Sequence, residues 1–360
     1  MIYTEEDAKF ESRLAKSLPV ADGISLYVGG WLSYPNREMG VRQREDRFVK
    51  TRHYQPGDES MQVAIYNEAA GSYPKFKPAT IDEVRKRVQA PDFDPATRFY
   101  AEEGGKVVGY CTLHASGRVG YPWTLKGHEA QAEPLFQAVL DAMRKRGITS
   151  AFAAYRGDWP ATTAFFNGHD FRLVREMVNF VIDIVEMPTP AARPSLPFSP
   201  LKREDVPAVF ELAPEALRVK TPAELEKHLF DNPFFSHEAL FVLRSRTGGI
   251  PAAVGILLDS PDYADPKQID SNMPCFRLGA FGAEGMTAKR VKGLFSFLCR
   301  PGRDVSSLAL DLMGHAAFRL EDSNTASLAA QVSSDVPHLL RFYQQHFRRQ
   351  GSFPIFERTL

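Results

Sequence analysis

The chain has 360 residues, 44% apolar and 24% charged, with 44 basic and 44 acidic side chains and a formal net charge of zero. That length exceeds one ordinary domain and predicts two. The charge balance argues against a nucleic-acid-binding face and a polybasic membrane anchor, and the longest apolar runs, ALFVL and AAVGILL, are too short to span a bilayer.

In chain order, residues 1–46 form an extension, with a helical apolar pattern in EEDAKFESRLAKSL and a strand or arm in GISLYVGGWLSY. RFVKTRHYQ then predicts a strand and SMQVAIYNEAAG a helix. TIDEVRKRVQ opens on a threonine cap and predicts a second helix. RFYAEEGGKVVGYCTLH reads as two strands around a Gly-Gly turn, and GRVGYPW as a strand. EPLFQAVLDAMRKRG has apolar spacing near 3.6 and a glycine stop, so it predicts a helix. SAFAAYR, PATTAFFNG and LVREMVNFVID follow as strand, short helix and strand.

A proline-rich stretch, EMPTPAARPSLPFSP, reads as a semi-rigid linker and puts a boundary at 188–198. The order then repeats. After FSPLKRED come the helix PAVFELAPEALR and the capped helix TPAELEKHLFDN. ALFVLRSRTGGIPAAVGILLDS is a second Gly-Gly hairpin and CFRLGAFG a strand. KRVKGLFSFLC reads as the start of a helix, which leaves RPGRDVSSLALDLMGHAAFRLED as an insertion or a broken helix. ASLAAQVSS, HLLRFYQQ and GSFPIFERTL close as strand, short helix and strand. The closing phrase of one half, AFFNGHDFRLVREMVNFVID, is echoed by RFYQQHFRRQGSFPIFE in the other. This is a duplication at domain scale, with domains at 47–187 and 199–360.

Strand, two helices, antiparallel strands, strand, helix, strand, helix, strand is the element order of the GNAT acyltransferases. Together the two halves resemble that family over nearly all of the chain beyond residue 46, in the tandem form that includes mycothiol-synthase-like proteins. The resemblance implies an α/β fold of the mixed-sheet, α+β kind: two tandem domains, each a splayed central sheet flanked by helices. It further implies acyl-CoA, acetyl-CoA above all, as donor, held by its pyrophosphate at a glycine-rich loop and helix N-terminus, with the family pattern Q/R-x-x-G-x-G/A.

The first half offers KGHEAQAEPLF at that position, where Glu129 and Gln131 replace glycines and Glu133 adds negative charge. The second offers KRVKGLFSFL, in which Arg290, Lys292 and Gly293 fit the pattern and Phe295 does not. The loop expected to hold CoA is therefore Arg290, Val291, Lys292, Gly293 and Leu294, with backbone N–H groups along Ala280, Phe281 and Gly282 polarising the thioester carbonyl. A basic first turn of an ordinary helix is the alternative.

The family often uses a tyrosine on the closing helix to protonate the leaving thiolate, and the echo aligns Tyr343 with Phe166, which has no proton to donate. The second half is thus expected to be the CoA-binding half. Tyr343 as a packing aromatic is the other reading. Glu284 and Asp335 are the candidate bases, or else solvated loop carboxylates.

No histidine pair has ligand spacing, so no metal is expected. Three widely spaced cysteines and the acidic opening MIYTEED, unlike a signal peptide, argue for a reducing cytoplasm. The expected function is N-acyl transfer to a small-molecule or peptide amine, by a monomer or homodimer, without nucleic-acid or membrane partners. The alternatives are a non-catalytic CoA-binding or scaffold protein and a peptidoglycan-bridge-type aminoacyl transferase.

Overall fold

The computed structural model describes residues 49–91, 93–188, 196–217, 219–231, 236–259, 291–321, 323 and 325–360. The extension at 1–46, most of the proline-rich linker and the strand expected at CFRLGAFG lie outside the described residues. Residues 47–360 form one compact unit.

The first half runs β1 (Val49–His53), α1 (Asp58–Ala70), α2 (Ile81–Val88), β2 (Arg98–Glu103), β3 (Lys106–Thr112), β4 (Trp123–Thr124), α3 (Ala132–Lys145), β5 (Ser150–Ala154), α4 (Pro160–Gly168) and β6 (Arg172–Asp183). Local chemistry sets several of these. Thr80 caps α2 by accepting from the Glu83 amide while the Glu83 carboxylate accepts from the Thr80 amide, a reciprocal box. Gly104 and Gly105 both take the positive φ that a two-residue hairpin turn requires. On α3 the residues Leu135, Phe136, Val139, Leu140 and Met143 are fully buried, one stripe at helical spacing. GRVGYPW gives less strand than its pattern suggests: Val119 makes an isolated bridge and only β4 forms a ladder.

The second half runs β7 (Phe198–Pro200), α5 (Val206–Phe210), α6 (Pro214–Leu217), α7 (Pro222–Phe230), β8 (Leu240–Arg244), β9 (Pro251–Leu258), β10 (Val291–Cys299), α8 (Val305–Leu320), β11 (Ser327–Ser333), α9 (Pro337–His346) and β12 (Arg348–Thr359). Two expectations are corrected. PAVFELAPEALR is two short helices, because Pro214 lacks an N–H and forces the preceding residue away from helical geometry. KRVKGLFSFLC is no helix start: Val291–Cys299 is a strand, buried continuously from Gly293 to Cys299. A short unbroken apolar run carries neither helical nor strand periodicity, which is why it misleads. The helix of this half is α8, sixteen residues within the segment read as an insertion.

A four-stranded sheet has the order β1-β2-β3-β4, and an eight-stranded sheet the order β5-β12-β6-β11-β10-β9-β8-β7. The last strand of each half has therefore crossed into the other. β12 lies between β5 and β6, and β6 lies between β12 and β11, all antiparallel. Each crossing strand has twelve residues, enough to serve two neighbours in succession. The cores follow. Val178, Phe180, Val181 and Ile182 of β6 are buried in the core of the second half, and Phe356 of β12 in that of the first. The expected halves are thus joined by shared sheet as well as by the linker.

A shared sheet predicts one cooperative unfolding transition for residues 47–360 rather than one per half. Phe180→Ala, at a site 1% exposed, should lower that transition by about 3–5 kcal/mol although its residue belongs to the first half. Calorimetry that resolves two transitions, with only one moved by the substitution, would contradict the exchange.

Candidate active site

β10 and β11 are the parallel pair at the centre of the second half. Their ladder runs from Val291↔Ser327 to Leu294↔Ala329, with an irregularity between Val291 and Gly293, and then stops. β10 continues to Cys299, paired with β9 on its other edge, and β11 continues to Ser333, paired with β6. The facing edges part, so backbone groups there have no ladder partner across the gap. A small pocket, open to solvent, occupies the gap. Ser296 and Phe297 of β10, Gln331 and Ser333 of β11, Tyr343 of α9, Leu217 of α6 and Arg175 of β6 line it. Gln331 is fixed by donating to Asn179 of β6 at 2.8 Å.

Tyr343 sits six positions after Pro337, the first residue of α9, and Phe166 sits six positions after Pro160, the first residue of α4. The echo therefore has a structural counterpart, helix for helix. Both rings are buried and stacked alike: Phe166 on Tyr155 and Tyr343 on Phe180, each at 5.7 Å and 20°. The difference is the hydroxyl. The Tyr343 Oη is buried at the pocket wall and makes no hydrogen bond of good geometry. Burial raises its pKa above the ordinary value, while the Ser296 hydroxyl and the Phe297 backbone beside it act in the opposite sense.

Asp335 is exposed just past β11 and accepts a hydrogen bond from the Ser333 Oγ at 2.5 Å. Through Ser333 it is linked to the pocket. Its counterpart before α4 is Asp158, held in two short bonds by Arg156. Glu284, Ala280, Phe281, Gly282 and Arg290 lie outside the described residues.

Val291, Lys292, Gly293 and Leu294 belong to β10 and so do not form a loop at a helix N-terminus. Gly293 has another reason to be glycine: a Cβ there would meet the Leu328 side chain at 2.7 Å and the Leu258 carbonyl at 2.9 Å. The loop that leads into a helix is the next one, Arg300, Pro301, Gly302, Arg303 and Asp304, all exposed. It opens α8, whose first turn has no acidic residue and no side-chain cap. A Cβ on Gly302 would meet nothing within 4 Å. Two arginines, an open backbone and a helix N-terminus without a side-chain cap stand at this end, with the Asp304 carboxylate at the N-cap position. The Pro-Gly dipeptide between the arginines marks this loop in the sequence.

The corresponding loop of the first half is filled by the chain itself. The Lys126 amide donates to Glu68 and the Gly127 amide to Glu129, both at 2.9 Å. The Gly127 amide holds the Glu129 carboxyl below its ordinary pKa. Glu133 is engaged by His169 and Gln137. β4 and β5 belong to separate sheets, joined by one bridge from Arg118 to Phe152. Tyr121, Trp123, Tyr155 and Trp159 pack together around the gap. Among the described residues, no cluster of three or more His, Cys, Asp or Glu could hold a metal ion, and no helix is long and apolar enough to cross a membrane.

No protein-family model matches the chain. A mycothiol acetyltransferase of Thermobispora bispora is 36% identical over 63 residues, a stretch that covers 17% of this chain and 21% of that protein. A GCN5-related N-acetyltransferase of Sphaerobacter thermophilus superposes with a TM-score of 0.57 at 14% identity, over 87% of this chain and 96% of that one. A tandem GNAT protein from the clavulanic acid biosynthesis pathway superposes with a TM-score of 0.50 at 11% identity, over 87% and 98%. Superposition on such proteins over 87% of this chain, and nearly end to end on theirs, gives this chain the GNAT fold in its tandem form.

Proposed function

We propose that the chain is an acyl-CoA-dependent N-acyltransferase that works through its second half and transfers an acetyl group to a small amine. The observation that carries the reading is the buried, unpartnered Tyr343 hydroxyl at the wall of the pocket between the parted strands β10 and β11. A buried hydroxyl without a partner costs stability, and acid catalysis is a use that offsets that cost.

Acyl-CoA would supply the activated thioester. Arg300 and Arg303, with the uncapped amides opening α8, suit its pyrophosphate, a role for which the engaged amides of Lys126 and Gly127 are not free. The free edge of β10 around Phe295 to Phe297 offers backbone N–H groups to the thioester carbonyl, the task first assigned to Ala280–Gly282. Tyr343 would donate its proton to the departing thiolate. Because its pKa is raised, it stays protonated throughout the neutral range. Ser333 would accept the proton of the attacking amine while passing its own hydroxyl proton to the Asp335 carboxylate, the terminal base.

Two outcomes test the reading. Arg303→Ala should weaken acetyl-CoA binding roughly tenfold by titration calorimetry, while Lys126→Ala leaves it unchanged. The reverse pattern would move the donor to the first half. Tyr343→Phe should lower turnover about 10²–10⁴-fold with little change in acetyl-CoA affinity. The same substitution should leave stability equal or higher in a urea titration, since it removes an unpaired buried group worth about 1–3 kcal/mol. The parent's rate should show no decline from Tyr343 ionisation up to its ordinary pKa of 10.0. Unchanged turnover, or a large loss of stability, would make Tyr343 a packing residue.

A further inference from the structure

We infer that the acceptor amine carries an anionic group, a carboxylate or a phosphate, and that Arg175 holds it. The amine rests on the acyl-transfer reading, and the anion preference on the pocket alone.

Among the described residues, Arg175 is the one charged side chain lining the pocket; the other polar groups on its wall, Ser296, Gln331, Ser333 and Tyr343, are neutral. No carboxylate lines it, so a polycationic acceptor would find no counter-charge on the described wall. Arg175 comes from the first half and reaches the second only because β6 has crossed.

Among the described residues its guanidinium is poorly satisfied. Arg52, Arg156 and Arg244 each grip a carboxylate with two short bonds, to Asp58 at 2.7 and 2.8 Å, Asp158 at 2.8 and 2.6 Å, and Asp205 at 2.8 and 2.7 Å. Arg175 makes one long contact, 3.4 Å from Nη1 to Glu357, whose side chain is 37% exposed and does not line the pocket. The next carboxylate along β6, Glu176, projects to the opposite face and pairs with Arg349. A planar fork with most donors unused, 21% exposed and facing a neutral cavity, matches the two oxygens of a carboxylate or phosphate.

The test is binding of matched amines to the full chain by titration calorimetry: O-phosphoethanolamine against ethanolamine, γ-aminobutyrate against butylamine, and spermidine as the polycation. The anionic member of a pair should bind about 10- to 100-fold tighter. Whichever pair gives the larger ratio separates phosphate from carboxylate. Arg175→Gln should bring the ratio to about one, and Arg175→Lys should keep part of it, as charge without the fork. Glu357→Gln, which leaves Arg175 intact, should tighten anion binding by removing the competing carboxylate. Equal affinities within pairs, preference for spermidine, no binding of either anionic probe, or a Glu357→Gln variant no tighter than the parent would overturn the proposal. Acetyl-CoA is titrated into the same samples. Anion preference without acetyl-CoA binding would sink acyl transfer alone, and acetyl-CoA binding without anion preference would sink this inference alone.

Discussion

The antiparallel pairing of β6 with β12 is the contact on which the rest depends. Nine register pairs, from Arg348↔Val181 to Glu357↔Arg172, tie the last strand of one half to the last strand of the other. Each strand spends its first residues on this pairing and its later ones in the opposite core. Phe180 thereby becomes the surface on which Tyr343 stacks, and β6 closes the outer side of the parted pair through β11. Remove the crossing and the pocket loses a wall, an arginine and the ring that orients its hydroxyl.

Two copies of one fold have taken opposite chemical courses at equivalent positions. In the first half, carboxylates of the chain sit on the loop amides, and aromatic rings fill the space beside β4 and β5. In the second half the helix end is uncapped, the strands part over open space and a hydroxyl is left unpaired. Self-satisfied polar groups favour stability. Unsatisfied ones cost stability and suit a site that binds a ligand.

How much was legible follows from the range of each signal. Caps, Gly-Gly turns and the stripe on α3 are local, so TIDEVRKRVQ, the two hairpins and EPLFQAVLDAMRKRG read correctly from the sequence. The echo located Tyr343 and Phe166 at matching helix positions, because the helix-opening prolines keep that register. β10 misled because LFSFLC is apolar without alternation, and the mistake placed the expected helix start at Lys292, one element before the helix that opens at Val305. The crossing of β6 was invisible. Nothing local in VREMVNFVID says whose core will bury it, and Arg175 could not be linked to a pocket built more than a hundred residues later.

The exchange also bears on how each half closes its sheet. A lone copy of either half would possess a strand with no host and, beside β5 or β11, a vacancy of matching length. Two identical copies could repair each other by trading strands around a twofold axis, and a strand edge left open would otherwise invite aggregation. A single half with this sheet would therefore have two ways to close, by folding its last strand back into its own vacancy or by trading strands with a second copy. Joining the two halves in one chain makes the exchange intramolecular, so the shared sheet forms without depending on protein concentration.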